Sequence, residues 1–139
     1  MGEVVVRVKL TNLADWVLAE EGGFGTPRSV EVDAVIDSGD VRSRISQRVC
    51  DELGLRIRAA FTSRSTANDA DVALGITFEV LGREAVASAS VVGDEVRIGQ
   101  TVLAELDLVV DTGRGLLIPN PSHPDGPVLP LRSPRPTRP

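Results

Sequence analysis

Cysteine, histidine, lysine and aromatic residues are all scarce in this chain of 139 residues, and each scarcity removes a class of chemistry. A lone cysteine, Cys50, permits neither an internal disulfide nor a thiolate metal cluster, which fits a reducing compartment. It falls on the apolar side of a short helix and reads as a small core residue rather than a nucleophile. The lone histidine, His123, sits in a proline-rich C-terminal stretch, so a serine or cysteine mechanism would lack a base held by the fold. No His-Glu-x-x-His or Cys-x-x-Cys spacing occurs, so no metal site and no cofactor is expected. Aromatics at 3% offer no stacking platform for nucleic acid. A net charge of -5, dispersed arginines and a single lysine, Lys9, argue against phosphate neutralisation. No apolar run is long enough to span a membrane and no signal peptide is seen, so a cytoplasmic protein is expected. What remains is carboxylate chemistry.

The chain also has features that organise it. A hydrophobic share of 42% with 25% charged residues describes an ordinary globular domain, expected over residues 1–120. Eight of the nine prolines lie from Pro119 onward, and Pro121, Pro124, Pro127 and Pro130 recur at a three-residue period. That favours an extended polyproline-like tail over 121–139. Val4, Val6, Val8 and Leu10 alternate as a first strand. Thr11 or Asn12 then caps a short helix carrying Leu13, Trp16 and Val17, expected as an insertion. Gly22, Gly23, Gly25 and Pro27 lack the Lys-Ser/Thr of a phosphate loop and read as a connector.

Residues 29–55 carry the strongest local pattern. Val30, Val32, Ala34 and Ile36 alternate with Glu31, Asp33 and Val35, the period of a half-buried strand, and Asp37-Ser38-Gly39 breaks it as a turn. Gly39 supplies backbone freedom there. A helix follows, with Ser46 as its N-cap, Ile45 as a staple, Val49 and Leu53 on its apolar face, and Gly54-Leu55 closing it. Residues 56–64 and 72–81 read as the two strands of a hairpin around a polar tip. Gly82 and Gly93-Asp94 turn further short strands, so the fold expected is mainly β, a small closed barrel with two or three short helices. Residues 100–106 form the longest helix of the second half.

Apolar-apolar-Asp-Ser-Gly, a polar turn and a helix ending Leu-Gly-Leu resemble the retropepsin-like aspartic proteases, in particular the small single-domain bacterial members. Arg97-Ile98-Gly99-Gln100-Thr101-Val102-Leu103-Ala104-Glu105-Leu106 is similar to the family's second signature. Val109-Val110-Asp111 and Leu116-Leu117-Ile118-Pro119 resemble its closing hairpin. One domain of this size is one lobe, so the resemblance implies a homodimer. Amide hydrolysis needs one group to activate water and another to protonate, and two Asp37 side chains meeting at a twofold axis would share one proton between them. Asp37 is thus the expected catalytic acid/base. Ser38 would bond across the axis, and Gly39 would let backbone amides approach. The hairpin tip would be the flap over substrate, with contacts expected from Asp40, Ser65, Thr66, Ala67 and Asn68.

Two residues depart from the family pattern. Asp40 adds a third carboxylate where a small apolar residue is usual, and calls for pairing with Arg42 or Arg44. Arg97 replaces an apolar residue before Ile98-Gly99. A second Asp-Thr-Gly, at Asp111-Thr112-Gly113, leads straight into another strand and reads as a hairpin turn. Besides an aspartic endopeptidase, the same cleft suits acid-base chemistry on a small non-peptide molecule, or a dimeric binding module in which Asp37 only closes a turn.

Overall fold

The computed structural model describes residues 3–23, 25–58 and 71–126. Among these the chain runs β1 (Val5–Asn12), α1 (Leu13–Glu20), β2 (Ser29–Ile36), β3 (Ser43–Ile45), α2 (Gln47–Leu53) and β4 (Arg56–Arg58). It continues with β5 (Asp71–Val80), β6 (Arg83–Val91), β7 (Val96–Ile98), α3 (Gln100–Leu106), β8 (Leu108–Asp111) and β9 (Leu116–Pro119). Ser65, Thr66, Ala67 and Asn68 lie outside the described residues, as does the chain from 127 onward.

The strand order β1-β2-β7-β3-β6-β5 closes through β1–β5 pairing into a six-stranded mixed barrel, with β4 added to β5. Closure removes the open edges that would otherwise invite foreign strands. β5 serves three neighbours because it bends. Its first part pairs with β4 and its second with β1, and the register shifts between Ala73 and Ile76, at Gly75 with φ of +71°. Such a bulge redirects a strand where a regular pleat would continue straight. Core residues are aliphatic apart from Phe78 and Cys50: Val8, Leu10, Ile45, Ile76, Val80 and Ile98 meet Leu103 and Leu106 of α3 and Leu53 of α2 in one core. Burying Phe78 alone contributes roughly 1.5–3 kcal/mol.

The expected caps form. Asn12 Oδ1 accepts from Asp15 N at 3.1 Å and starts α1, while its Nδ2 donates to Leu53 O at 2.8 Å, tying α1 to the end of α2. α1 buries none of its residues, as an insertion outside the barrel should. Ser46 Oγ accepts from Val49 N at 3.2 Å, and Gly54 closes α2 with φ of +60°. β3 is a strand where the sequence pattern predicts only a polar turn between Asp-Ser-Gly and the helix. Three residues are too few for a period to register, and β3 exists because β6 and β7 offer it partners.

The C-terminal segment is the main correction. His123, expected beyond the reach of the fold, places Nδ1 at 2.6 Å from Asp107 Oδ2, and Asn120 Nδ2 donates to Asp107 Oδ1 at 3.0 Å. Bonds from Asn120 and then His123 hold the Asp107 carboxyl below its ordinary value. Arg83 Nη1 donates to Leu106 O and Asp107 O at 3.0 and 2.8 Å, covering carbonyls at the end of α3. Residues 121–126 therefore begin by folding back onto α3.

Two predictions concern stability. The β5–β6 turn puts both Leu81 (φ 51°) and Gly82 (φ 78°) in the left-handed region, and Leu81 is exposed. Asn tolerates that conformation better, so Leu81→Asn is expected to stabilise the fold by about 0.5–1 kcal/mol in urea unfolding. Asp15 accepts from Arg28 Nε, Nη2 and N at 2.7, 3.0 and 3.0 Å, and Arg28 holds its carboxyl down to about 2. A carboxyl held down in the folded state stabilises above its unfolded pKa of about 3.9, and the gain disappears as pH falls through the folded value. The stability gap between the protein and Asp15→Asn should be widest near neutrality and close as pH falls to about 2. A gap independent of pH would contradict it.

Candidate active site

Asp37 follows the last residue of β2 and is fixed there by its backbone. Its N–H donates to Ile98 O at 2.9 Å, and its carbonyl accepts from Asp40 N at 3.1 Å, closing the turn. The strand's parallel pairing with β7, Ile36 opposite Ile98, thus runs directly into the Asp37 turn. Ser38 and Gly39 are exposed at its tip, and Asp37 is about a quarter exposed, with its side chain at 28%. Gly39 differs from expectation, since it adopts no left-handed angle. A Cβ there would meet only Asp37 Oδ1, at 3.7 Å. That is ordinary contact, so neither the backbone angle nor the space around it demands glycine at this position.

Gly99 is the position where a side chain is intolerable. A Cβ on it would lie 2.7 Å from Arg42 C, 2.8 Å from Asp40 O and 2.9 Å from Arg42 O. Without one, the two backbones touch. Gln100 N donates to Asp40 O at 2.7 Å and Thr101 N to Val41 O at 3.1 Å, while Gly99 N donates to the buried Ser43 Oγ at 2.8 Å. The first N–H groups of α3, which have no partners within the helix, are therefore capped by the loop that carries Asp37. The two signatures seen in the sequence are one unit in space.

Charge around the turn is dense and balanced. Arg97 Nε donates to Asp37 Oδ2 at 3.1 Å, a contact not foreseen from the sequence. Asp40 pairs with Arg44 Nη2 at 2.8 Å, as its extra charge required, and not with Arg42. Arg44 and Arg97 stand directly opposite each other across β3 and β7, where like charges repel. The carboxylates offset this, and Glu95 first, with Asp37 after it, holds the Arg97 guanidinium more firmly protonated than usual. A cleft of about 270 Å³ opens beside them, bounded by Asp37, Arg44, Arg97 and residues 92–95. Asp111, by contrast, has both oxygens engaged within the β8–β9 turn, where Arg114 donates to them at 3.1 and 2.8 Å and pulls the carboxyl below the ordinary value.

The turn at Asp37 and the need of Asp40 for an arginine partner were legible in the sequence, whereas Ser43 and the reach of Arg97 were not. A signal for Ser43 existed: α3 starts after a glycine with no side-chain cap, so its N–H groups had to find acceptors elsewhere.

No family model matches the chain, and no curated protein matches it. Solved structures do. The crystal structure of the retroviral protease-like domain of Ddi1 from Leishmania major is similar with a TM-score of 0.55 at 15% identity, over 94% of this chain and 96% of that one. A retropepsin-like aspartic protease from Rickettsia conorii is similar with a TM-score of 0.45 at 16% identity, over 79% of this chain and 85% of that one. The chain has the retropepsin-like fold. At this identity the likeness is one of fold, and the chemistry has to be argued from the site.

Ser43→Ala leaves the Gly99 N–H buried without a partner and should cost about 1–3 kcal/mol in urea unfolding. A loss under about 0.3 kcal/mol would show that the two signatures are not tied through Ser43.

Proposed function

We propose that this chain is a homodimeric aspartic endopeptidase of a reducing, cytoplasmic setting. The observation that carries the reading is the placement of Asp37: a carboxylate about a quarter exposed beside an open cleft, in a turn whose backbone is bonded to Ile98. In the proposed dimer the two Asp37 carboxyls meet at the axis. Like charges that close do not both stay ionised, so one proton is shared. One carboxylate takes a proton from the attacking water while its twin gives one to the carbonyl oxygen of the peptide, forming a tetrahedral diol. Return of a proton to the leaving nitrogen completes cleavage. Ser38 bonds across the axis and Gly39 leaves the approach open. The peptide lies extended, adding as a strand, with Asp40 as a contact and with Ser65, Thr66, Ala67 and Asn68 kept as candidate contacts from the sequence alone.

A second reading, acid-base chemistry on a small non-peptide molecule in the same cleft, draws support from the cleft's modest volume of about 270 Å³ beside Asp37. Cleavage of a random peptide library separates the two. Under the peptidase reading Asp37→Asn lowers kcat/KM by about 10⁴-fold, while sedimentation shows the dimer unchanged. Undiminished cleavage by that variant refutes the mechanism.

A further inference from the structure

Arg97 makes more bonds than its place in β7 requires. Nε donates to Asp37 Oδ2 at 3.1 Å, Nη1 to Glu95 Oε1 at 2.7 Å and Nη2 to Glu3 Oε2 at 3.3 Å. Each nitrogen meets a different carboxylate, and the Glu95 contact is the shortest. The Arg97 side chain is 24% exposed and that of Asp37 28%, so the contact is open to water and to salt. Arg44, the other cation at the cleft, is already held by Asp40.

This arrangement conflicts with a working dyad. A guanidinium on Oδ2 withholds that oxygen from the twin carboxyl and from the attacking water. It also supplies the counter-charge that the shared proton would otherwise supply, so two such pairs at an axis would not need to hold a proton between them. The conflict has a local resolution, because Arg97 has two other acceptors and needs only to give up the third. An ion pair that is partly exposed is weak enough to exchange in this way.

We propose that Arg97 is a positioning residue that latches Asp37 in a resting state, and that the site becomes competent when the guanidinium passes wholly to Glu95 and Glu3. The proposal rests on the peptidase reading above. No covalent bond changes; one cation exchanges one of three carboxylates.

The test uses the full chain with Arg97→Met and Arg97→Gln, the latter keeping a donor without the charge, and reads two quantities. The first needs no activity. A double-mutant cycle of Arg97→Met with Asp37→Asn in urea unfolding is expected to show coupling of a few-fold in the unfolding equilibrium constant. The second is cleavage of a random peptide library in about 0.05 M and about 1 M salt, which leave such a pair intact and screened respectively. Both variants are expected to cleave roughly threefold to tenfold faster than the parent at low salt, the rate equivalent of releasing one partly exposed ion pair. The parent should accelerate with salt, and the variants should not. Additive stabilities overturn the latch outright. Coupling with variants no faster than an active parent overturns the latch and leaves the peptidase reading standing. Coupling with no cleavage by any of the three proteins at either salt removes the peptidase reading, and the latch with it.

Discussion

The structure depends on the direct contact between two backbones, residues 40–42 of a loop and residues 99–101 at the start of α3, which only a glycine at 99 allows. From that contact follow three things at once. The start of α3 is capped without a side chain, Ser43 is drawn beneath as an acceptor, and Asp37 is held at the end of β2 by Ile98. Because the same bonds serve the helix, the barrel and the Asp37 turn, a disturbance in one is felt in all. A rigid support of this kind is what the proposed chemistry needs if the carboxylate's position is to be set by the fold rather than by its own rotamer.

Around this centre the chain uses arginine as its fastener. With few aromatics the core is aliphatic, and the joints at its rim are made by planar guanidinium groups that bridge elements far apart in sequence. Arg28 ties β2 to Asp15 of α1, Arg83 covers the end of α3, and Arg97 spans three carboxylates. A lysine would offer a point charge in place of a fork and could not hold these geometries as well. The cost appears where Arg44 and Arg97 oppose each other, and Asp40, Asp37 and Glu95 are the compensation.

Much of this was legible beforehand, for reasons that differ from element to element. The alternation over 29–36, the Ser46 cap and the Gly54 stop are local and obey local rules, so they could be read without the fold. α3 over 100–106 was placed correctly from its apolar face. β3 could not be read, since its three residues owe their conformation to β6 and β7. Gly39 was expected to supply backbone freedom, yet it adopts no left-handed angle and a Cβ there would make only ordinary contact. His123 was misjudged because its anchor, Asp107, lies at a helix end whose acceptor role depends on the chain returning to it. The Arg97–Asp37 bond is likewise tertiary, joining residues sixty positions apart.

The proposed function turns on whether two copies of Asp37 come together. The direct measurement is a crystal structure of the purified protein, read for the separation of the two carboxyl groups. The account predicts a twofold dimer with the nearest oxygens in hydrogen-bond range, about 3 Å. A monomer, or a dimer whose Asp37 side chains point separately into solvent, would contradict it.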